Sequence, residues 1–304
     1  MKKIKYIYIL SQRYSGSTLL SFLLGTHPNI STIGERRKFY IKSITPNLND
    51  KTKCSCGAFF QNCDHWNAIK KGLLERVDID SINTNFTEFQ ILKNRYANWL
   101  ACKSFEFCLV NGFPKMLIPF SSKITKLNNY NRILVEEILK IDKKSIFLDS
   151  SKSINQVLFL SQIKELDLSV IWLTRDPRAQ VNSAIKYNDW TIEEATENWK
   201  KEMIHNEKIL KKLKIKHTVL HYEALCKNPK QEINDLLKFT GLKASPFSLN
   251  FREKTQHIMG NYSMRLGADD KIVERQEWRE SLSEVEIKYI EDITIEYSQF
   301  HCEI

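Results

Sequence analysis

The chain has 304 residues, long enough to bury a core without disulfide staples. A composition that is 42% hydrophobic, 27% charged and 11% aromatic argues against a disordered, collagen-like or coiled-coil chain. The 46 Lys and Arg against 36 Asp and Glu leave a formal charge of +10, which suits an anionic partner, yet the lysines are dispersed and give no nucleic-acid arm.

No apolar run reaches the roughly 18 residues of a membrane span. The start, Met1-Lys-Lys, leads into a short buried strand rather than a secretory signal, so a cytoplasmic protein is expected. Residues 5–10 (KYIYIL) are that strand. A polar turn follows, then a helix over 17–24 that stops at Gly25. Residues 30–34 read as short extended chain. From about 35 to 142 the pattern is helical and irregular, with helical periodicity over 86–110 and a candidate loop at 126–132 (KLNNYNR). Strands are expected at 145–149, 169–174 and 217–221. Helices are expected at 154–166, after Pro177, and at 191–214, 230–239 and 283–297. Strands alternating with helices imply α/β: a parallel sheet flanked by helices. The chain 1–304 reads as one domain carrying a helical insertion over about 35–142.

Seven cysteines cannot all pair within one chain, and a cytosolic address keeps most of them reduced. Only Cys54-Ser-Cys56-Gly and Cys63-Asp-His65-Trp66 have informative spacing. Zinc ligation by Cys54, Cys56, Cys63 and His65 is one reading. The run lacks the paired C-x2-C spacing, so a local turn, with or without a disulfide, is the preferred one.

Two segments carry chemistry. Ser11-Gln-Arg13-Tyr14-Ser15-Gly16-Ser17-Thr18 has the spacing of the nucleoside triphosphatase loop G-x4-G-K-[ST], with Ser11 for the first glycine and Ser17 for the lysine. Such a turn aims backbone N–H groups and a helix N-terminus at a phosphate. Without the lysine and a clear Walker-B aspartate, it is poorly suited to Mg²⁺-assisted ATP hydrolysis. In Leu173-Thr-Arg175-Asp-Pro-Arg178-Ala-Gln-Val-Asn-Ser183, Arg175 leaves the carboxyl edge of the sheet, and with Ser183 it can hold one phosphate. Arg178 taken alone reads as a surface residue paired with Asp176.

Together these segments resemble the sulfotransferases that use 3′-phosphoadenosine 5′-phosphosulfate (PAPS) as donor. In that family a loop [RK]-S-G-[ST]-T binds the 5′-phosphosulfate, matched here by Ser15, Gly16, Ser17 and Thr18. An R-D-P-R…S segment binds the 3′-phosphate, matched by Arg175 and Ser183. His27-Pro28, Gly34-Glu35, Asp149-Ser-Ser-Lys152, Tyr222-Glu223, His257-x-x-Gly260-Asn261-x-x-x-Arg265 and Trp278-Arg279 agree as well, so the resemblance runs from residue 6 to 279. The C-x-C-G…C-x-x-W segment is similar to that of one bacterial subset. One departure stands out: Tyr14 occupies the usual Lys/Arg position, with Arg13 one place earlier.

The resemblance implies PAPS as co-substrate, no required metal, and sulfuryl transfer to a hydroxyl, less often an amine. The acceptor would be a small molecule or carbohydrate. It casts Arg13 or Tyr14 as helper of the leaving group and Arg265 as a residue closing over the 3′-phosphate. Glu35 would be the general base, against the plainer reading of a carboxylate paired with Arg36 or Arg37. His257 is a further catalytic candidate, and His27 supports the loop. The rival functions are a P-loop kinase-like phosphotransferase and a non-catalytic nucleotide-binding protein of the same fold.

Overall fold

The computed structural model describes residues 3–39, 53–78, 86–113, 121–242, 247–267 and 271–301. Five parallel strands, β1 (Ile4–Ser11), β2 (Ile30–Thr32), β3 (Ile146–Lys152), β4 (Leu166–Thr174) and β5 (His217–His221), form a sheet in the order β2-β3-β1-β4-β5. Central β1 pairs Lys5 with Ile146 of β3 and Ile4 with Leu166 of β4. The two-residue period of a strand sends Tyr6, Tyr8 and Leu10 into one core and Ile7 and Ile9 into another. Because helices cover both faces, β1 reads as a nearly unbroken apolar run, which is what makes it legible in the sequence.

Helix α1 (Ser17–Gly25) follows β1 directly and is buried along its whole length. The insertion contributes α2 (Asp64–Leu74), α3 (Arg95–Val110) and α4 (Ser121–Asp142). After β3 come α5 (Ile154–Leu160), α6 (Pro177–Asn188), α7 (Ile192–Lys212), α8 (Tyr222–Lys227) and α9 (Pro229–Phe239). The chain continues through α10 (Tyr262–Leu266), α11 (Trp278–Ser281) and α12 (Glu284–Ile293). The insertion helices, α5 and α7 pack on the Tyr6–Tyr8 face, while α1, α8 and α9 cover the Ile7–Ile9 face.

Three expectations change. The expected loop at 126–132 lies inside α4. Its polar letters hide a helical stripe of Ile124, Leu127, Asn131, Leu134 and Ile138, and buried Asn131 donates to the Phe86 and Leu127 carbonyls, each at 2.8 Å. The periodic stretch 86–110 is not one helix: a 3₁₀ turn occupies Phe86–Glu88, and α3 starts only where the Asn94 side chain caps Ala97 N–H at 3.0 Å. Helix α5 ends six residues early, leaving room for β4 to begin at Leu166.

Candidate active site

Parallel strands bring their carboxyl ends to one edge. In spatial order, that edge carries Glu35 after β2, Lys152 at the end of β3, the phosphate-type turn after β1, Arg175 after β4, and Tyr222 and Glu223 after β5. From β1 the chain first fills one side of the sheet and then the other. Open α/β sheets bind ligands at such a switch point.

The turn itself has the backbone of an anion cradle. Tyr14 and Gly16 adopt left-handed conformations, with φ of 66° and 83°, on either side of Ser15. Gly16 is the N-cap of α1 and supplies no side chain, so the helix's first N–H groups are free of intrahelical partners. Only glycine fits here, since a Cβ would sit 2.5 Å from the Tyr222 ring. Buried Ser15 Oγ and Ser11 Oγ have no hydrogen-bond partner among the described residues.

The turn is braced from the β4 side. Arg175 Nη1 donates to the Tyr14 carbonyl at 2.8 Å and Nη2 to the Arg275 carbonyl at 2.9 Å, while Gln180 Nε2 donates to the Arg13 carbonyl at 2.9 Å. The Arg175 guanidinium lies over the Tyr222 ring at 5.0 Å, and its buried Nε has no partner among the described residues. Ser183 Oγ donates to the Ala179 carbonyl at 2.9 Å. The Tyr14 ring stacks on Tyr187 at 5.3 Å and its hydroxyl donates to Asn188 at 3.0 Å, so its side chain is committed to α6. Arg13 is exposed. Arg178, expected at the surface, is buried: it pairs with Asp176 and Glu291, each at 2.6 Å, and lies over the Trp278 ring at 4.3 Å. Beside this bracing, Glu223 accepts the Asp176 N–H at 3.0 Å, and burial pushes its carboxyl up to about 7.

The other half of the edge holds the carboxylate. Lys152 Nζ donates to Glu35 Oε1 at 2.6 Å, with Lys38 Nζ 3.0 Å and Arg37 Nη2 3.5 Å from Oε2. Burial alone would raise the Glu35 carboxyl, but the Lys152 and Lys38 ammoniums outweigh it and hold it at about 2. Arg36 turns the opposite way, into the core. There its Nε meets Asp149 Oδ2 at 2.9 Å, the Tyr6 hydroxyl donates to the same oxygen at 2.7 Å, and Nη1 reaches the Thr87 carbonyl and Asn131. This buried pair anchors the turn that carries Glu35. Lys152 is the residue that sequence reasoning left without a role. Its signal was the Asp-Ser-Ser-Lys run, which gains meaning once β3 is known to lie next to β1. His27 is buried and accepts the Asn29 N–H at 3.2 Å, supporting the turn after α1.

A strap over residues 256–265 closes the edge. Met259 N–H donates to the Ile33 carbonyl at 2.7 Å, Glu35 N–H to the Met259 carbonyl at 3.2 Å, and Asn261 N–H to Thr18 Oγ1 at 3.2 Å. Gly34 permits this approach: its φ is 73°, and a Cβ would fall 1.8 Å from the Met259 carbonyl oxygen. From the strap, Arg265 is buried over the Phe60 ring at 5.3 Å, and its Nε and Nη1 lack partners among the described residues. His257 faces thiols: Nδ1 lies 3.5 Å from Cys54 Sγ and 3.3 Å from Cys63 Sγ. Burial and the neighbouring His65 hold its imidazole at about 4, so it is neutral near pH 7. His65 stands outside that thiol group, with its Nε2 2.9 Å from Asp142 Oδ1 and its ring stacked on His257 at 4.2 Å.

A parallel sheet with an anion cradle at its switch point defines a P-loop-like α/β protein. The sulfotransferase family profile matches residues 7–246, and the chain belongs to that family. Among solved structures it is similar to a sulfotransferase domain from the curacin biosynthetic pathway, at 15% identity and a TM-score of 0.51, covering 96% of this chain and 97% of that one. This likeness concerns the fold. It is also similar to a sulfotransferase domain from the Synechococcus PCC 7002 olefin synthase, at 13% identity, TM-score 0.46, and 97% and 95% of the two chains. A sulfotransferase from Alicyclobacillus acidocaldarius aligns at 10% identity, TM-score 0.42, over 98% and 96%. A search of curated proteins finds no match. No helix among the described residues is long and apolar enough to cross a membrane.

Proposed function

We propose that the chain is a single PAPS-dependent sulfotransferase domain that moves a sulfuryl group to a hydroxyl, or less often an amine, of a small-molecule or carbohydrate acceptor. One observation carries this reading: a buried, cation-held Glu35 lies on the same sheet edge as a glycine-centred turn with unpartnered serine hydroxyls. The N–H groups from Ser15 to Thr18, with the Ser15, Ser17 and Thr18 hydroxyls, take the donor's 5′-phosphate. Arg175 and Ser183, on the β4 side, take the 3′-phosphate. Arg265, as a residue closing over the 3′-phosphate, and the Arg13–Tyr14 pair, as helper of the leaving group, are the further donor-binding candidates. The unpartnered Nε and Nη1 of Arg265 support its part.

Transfer proceeds as an in-line displacement. The acceptor oxygen bonds to sulfur, the bond from sulfur to the bridging phosphate oxygen breaks, and the acceptor's proton passes to Glu35. The departing adenosine 3′,5′-bisphosphate keeps the electron pair, and its growing charge is met by the cradle and Lys152. In the resting site the two lysines keep Glu35 ionised, the form that accepts a proton. An anionic donor drawing Lys152 toward itself would leave Lys38 as the main counter-charge and make Glu35 a stronger base. The insertion over about 35–142 walls the acceptor side, since Arg36 ties the Glu35 turn to Thr87 and Asn131.

Incubation of the full chain with radiolabelled PAPS and an acceptor panel tests this reading. Labelled sulfate esters or amides support it, whereas turnover of Mg²⁺-ATP in place of PAPS would make the chain a phosphotransferase.

A further inference from the structure

We propose that Cys54, Cys56, Cys63 and His257 form a structural zinc site. Their ligand atoms all lie within 4.8 Å of one another. Zinc–sulfur bonds of about 2.3 Å and zinc–nitrogen bonds of about 2.0–2.1 Å, set at the tetrahedral angle, imply S···S edges of about 3.8 Å and S···N edges of about 3.6 Å. The cluster has a Cys56–Cys63 Sγ separation of 3.7 Å and Sγ–Nδ1 separations of 3.5 Å for Cys54 and 3.3 Å for Cys63. Three of the six edges therefore match those of a zinc tetrahedron, and the other three lie within 4.8 Å. The 3.7 Å separation is far longer than the roughly 2.05 Å of a disulfide, and a disulfide would leave the third thiol and the imidazole unexplained.

The surroundings hold the four residues in place. Cys54 and Cys56 sit on a turn closed by Cys54 N–H to the Ala58 carbonyl at 2.7 Å and Gly57 N–H to the Cys54 carbonyl at 2.9 Å. The Trp66 indole N–H donates to Cys54 Sγ at 3.3 Å. Cys63 is the N-cap of α2, at the helix end whose dipole favours an anionic sulfur. On the other side, Ser55 grips the His257 segment at both flanks, donating to the Gln256 carbonyl and accepting the Ile258 N–H at 2.7 Å. His65 then serves as support rather than ligand: held by Asp142, its ring fixes the plane of His257. Soft thiolates with one imidazole in a tetrahedron select zinc over the oxygen-seeking divalent ions. On binding, the three thiols release their protons to solvent.

The site ties the insertion to the strap, because Cys63 opens α2 while His257 lies two residues before Met259, which holds the Glu35 turn. Its work is to fasten these parts.

Metal analysis of the full chain tests the site. Purified under reducing conditions with zinc supplied and then dialysed, the protein is expected to retain about one zinc per chain. Replacement by cobalt should give the sulfur-to-metal charge-transfer band and strong visible bands of a tetrahedral thiolate site. His257→Gln should shift those bands and weaken cobalt binding by about tenfold or more, while His65→Gln should keep the band positions. Chelation should lower the melting temperature, and added zinc should restore it. Two results would overturn the proposal: wild-type protein that retains no metal and shows no cobalt–thiolate band, or an intact mass showing a Cys56–Cys63 disulfide. Since wild-type protein carries both readings, a variant that fails to fold does not obscure the outcome.

Discussion

Lys152 Nζ and Glu35 Oε1 meet at 2.6 Å, joining the end of β3 to the turn after β2 in a nearly buried ion pair. Lys152 does so from a left-handed backbone, with φ of 74°. A lysine at such a φ is strained by about 1–3 kcal/mol, so the cation's placement is worth more than the backbone's ease. Lys152→Met should leave Lys38 as the main counter-charge and lower the transfer rate by about 10–10³-fold. Single-turnover kinetics with saturating donor is the measurement, and donor affinity separates loss of binding from loss of chemistry.

Glu35→Gln keeps the shape of the side chain and removes the proton acceptor. The rate should fall about 10²–10⁴-fold, with the affinity for adenosine 3′,5′-bisphosphate nearly unchanged. A normal rate in that variant would remove Glu35 from the base's role.

The same carboxylate makes an acid signature. Its folded value of about 2 lies below the ordinary 4.5, so it contributes stability that is fully present above pH 4.5 and is lost as pH falls toward 2. Chemical denaturation at several acid pH values should show a steeper fall for wild type than for Glu35→Gln across that window.

Glu223 behaves in the opposite sense. Burial, with Asp176 adding repulsion, raises it from 4.5 to about 7, so its ionisation works against the folded state as pH rises through that range. Glu223→Gln, which retains an acceptor for the Asp176 N–H, should melt several degrees above wild type at pH 8 and close to it at pH 4 to 5. Calorimetric melting at the two pH values checks this.

Gly16 should tolerate nothing larger. Gly16→Ala combines a left-handed φ of 83° with a Cβ 2.5 Å from Tyr222, so the cradle must deform. Circular dichroism should remain near normal while calorimetry shows donor affinity lower by about tenfold or more.

Much of this was legible in the sequence for physical reasons. β1 and β4 are covered on both faces and so appear as apolar runs, and the turn after β1 declares itself by Ser-Gly-Ser-Thr before an apolar helix. α4 was partly hidden because Asn128, Asn129 and Asn131 look like turn residues, whereas Asn131 is a buried crosslink to Phe86 and Arg36. The thiol cluster's fourth member was hidden by distance, since His257 lies 194 residues from Cys63 while His65 is two residues away. Spacing along the chain favours the near histidine, and the strap's pairing with Ile33 and Gly34 delivers the far one. Lys152 had no readable role until the sheet order set β3 beside β1.

The proposed donor's 3′-phosphate would separate this site from an ordinary mononucleotide cradle, so isothermal titration of the full chain with adenosine 3′,5′-bisphosphate and with AMP tests the central claim most directly. The bisphosphate should bind about tenfold tighter or more, and Arg175→Ala, which removes a charge-assisted contact of about 1.5–3 kcal/mol, should narrow that gap. Equal affinities of the wild-type protein for the two nucleotides would contradict the assignment of Arg175 and Ser183, and with it PAPS as the donor.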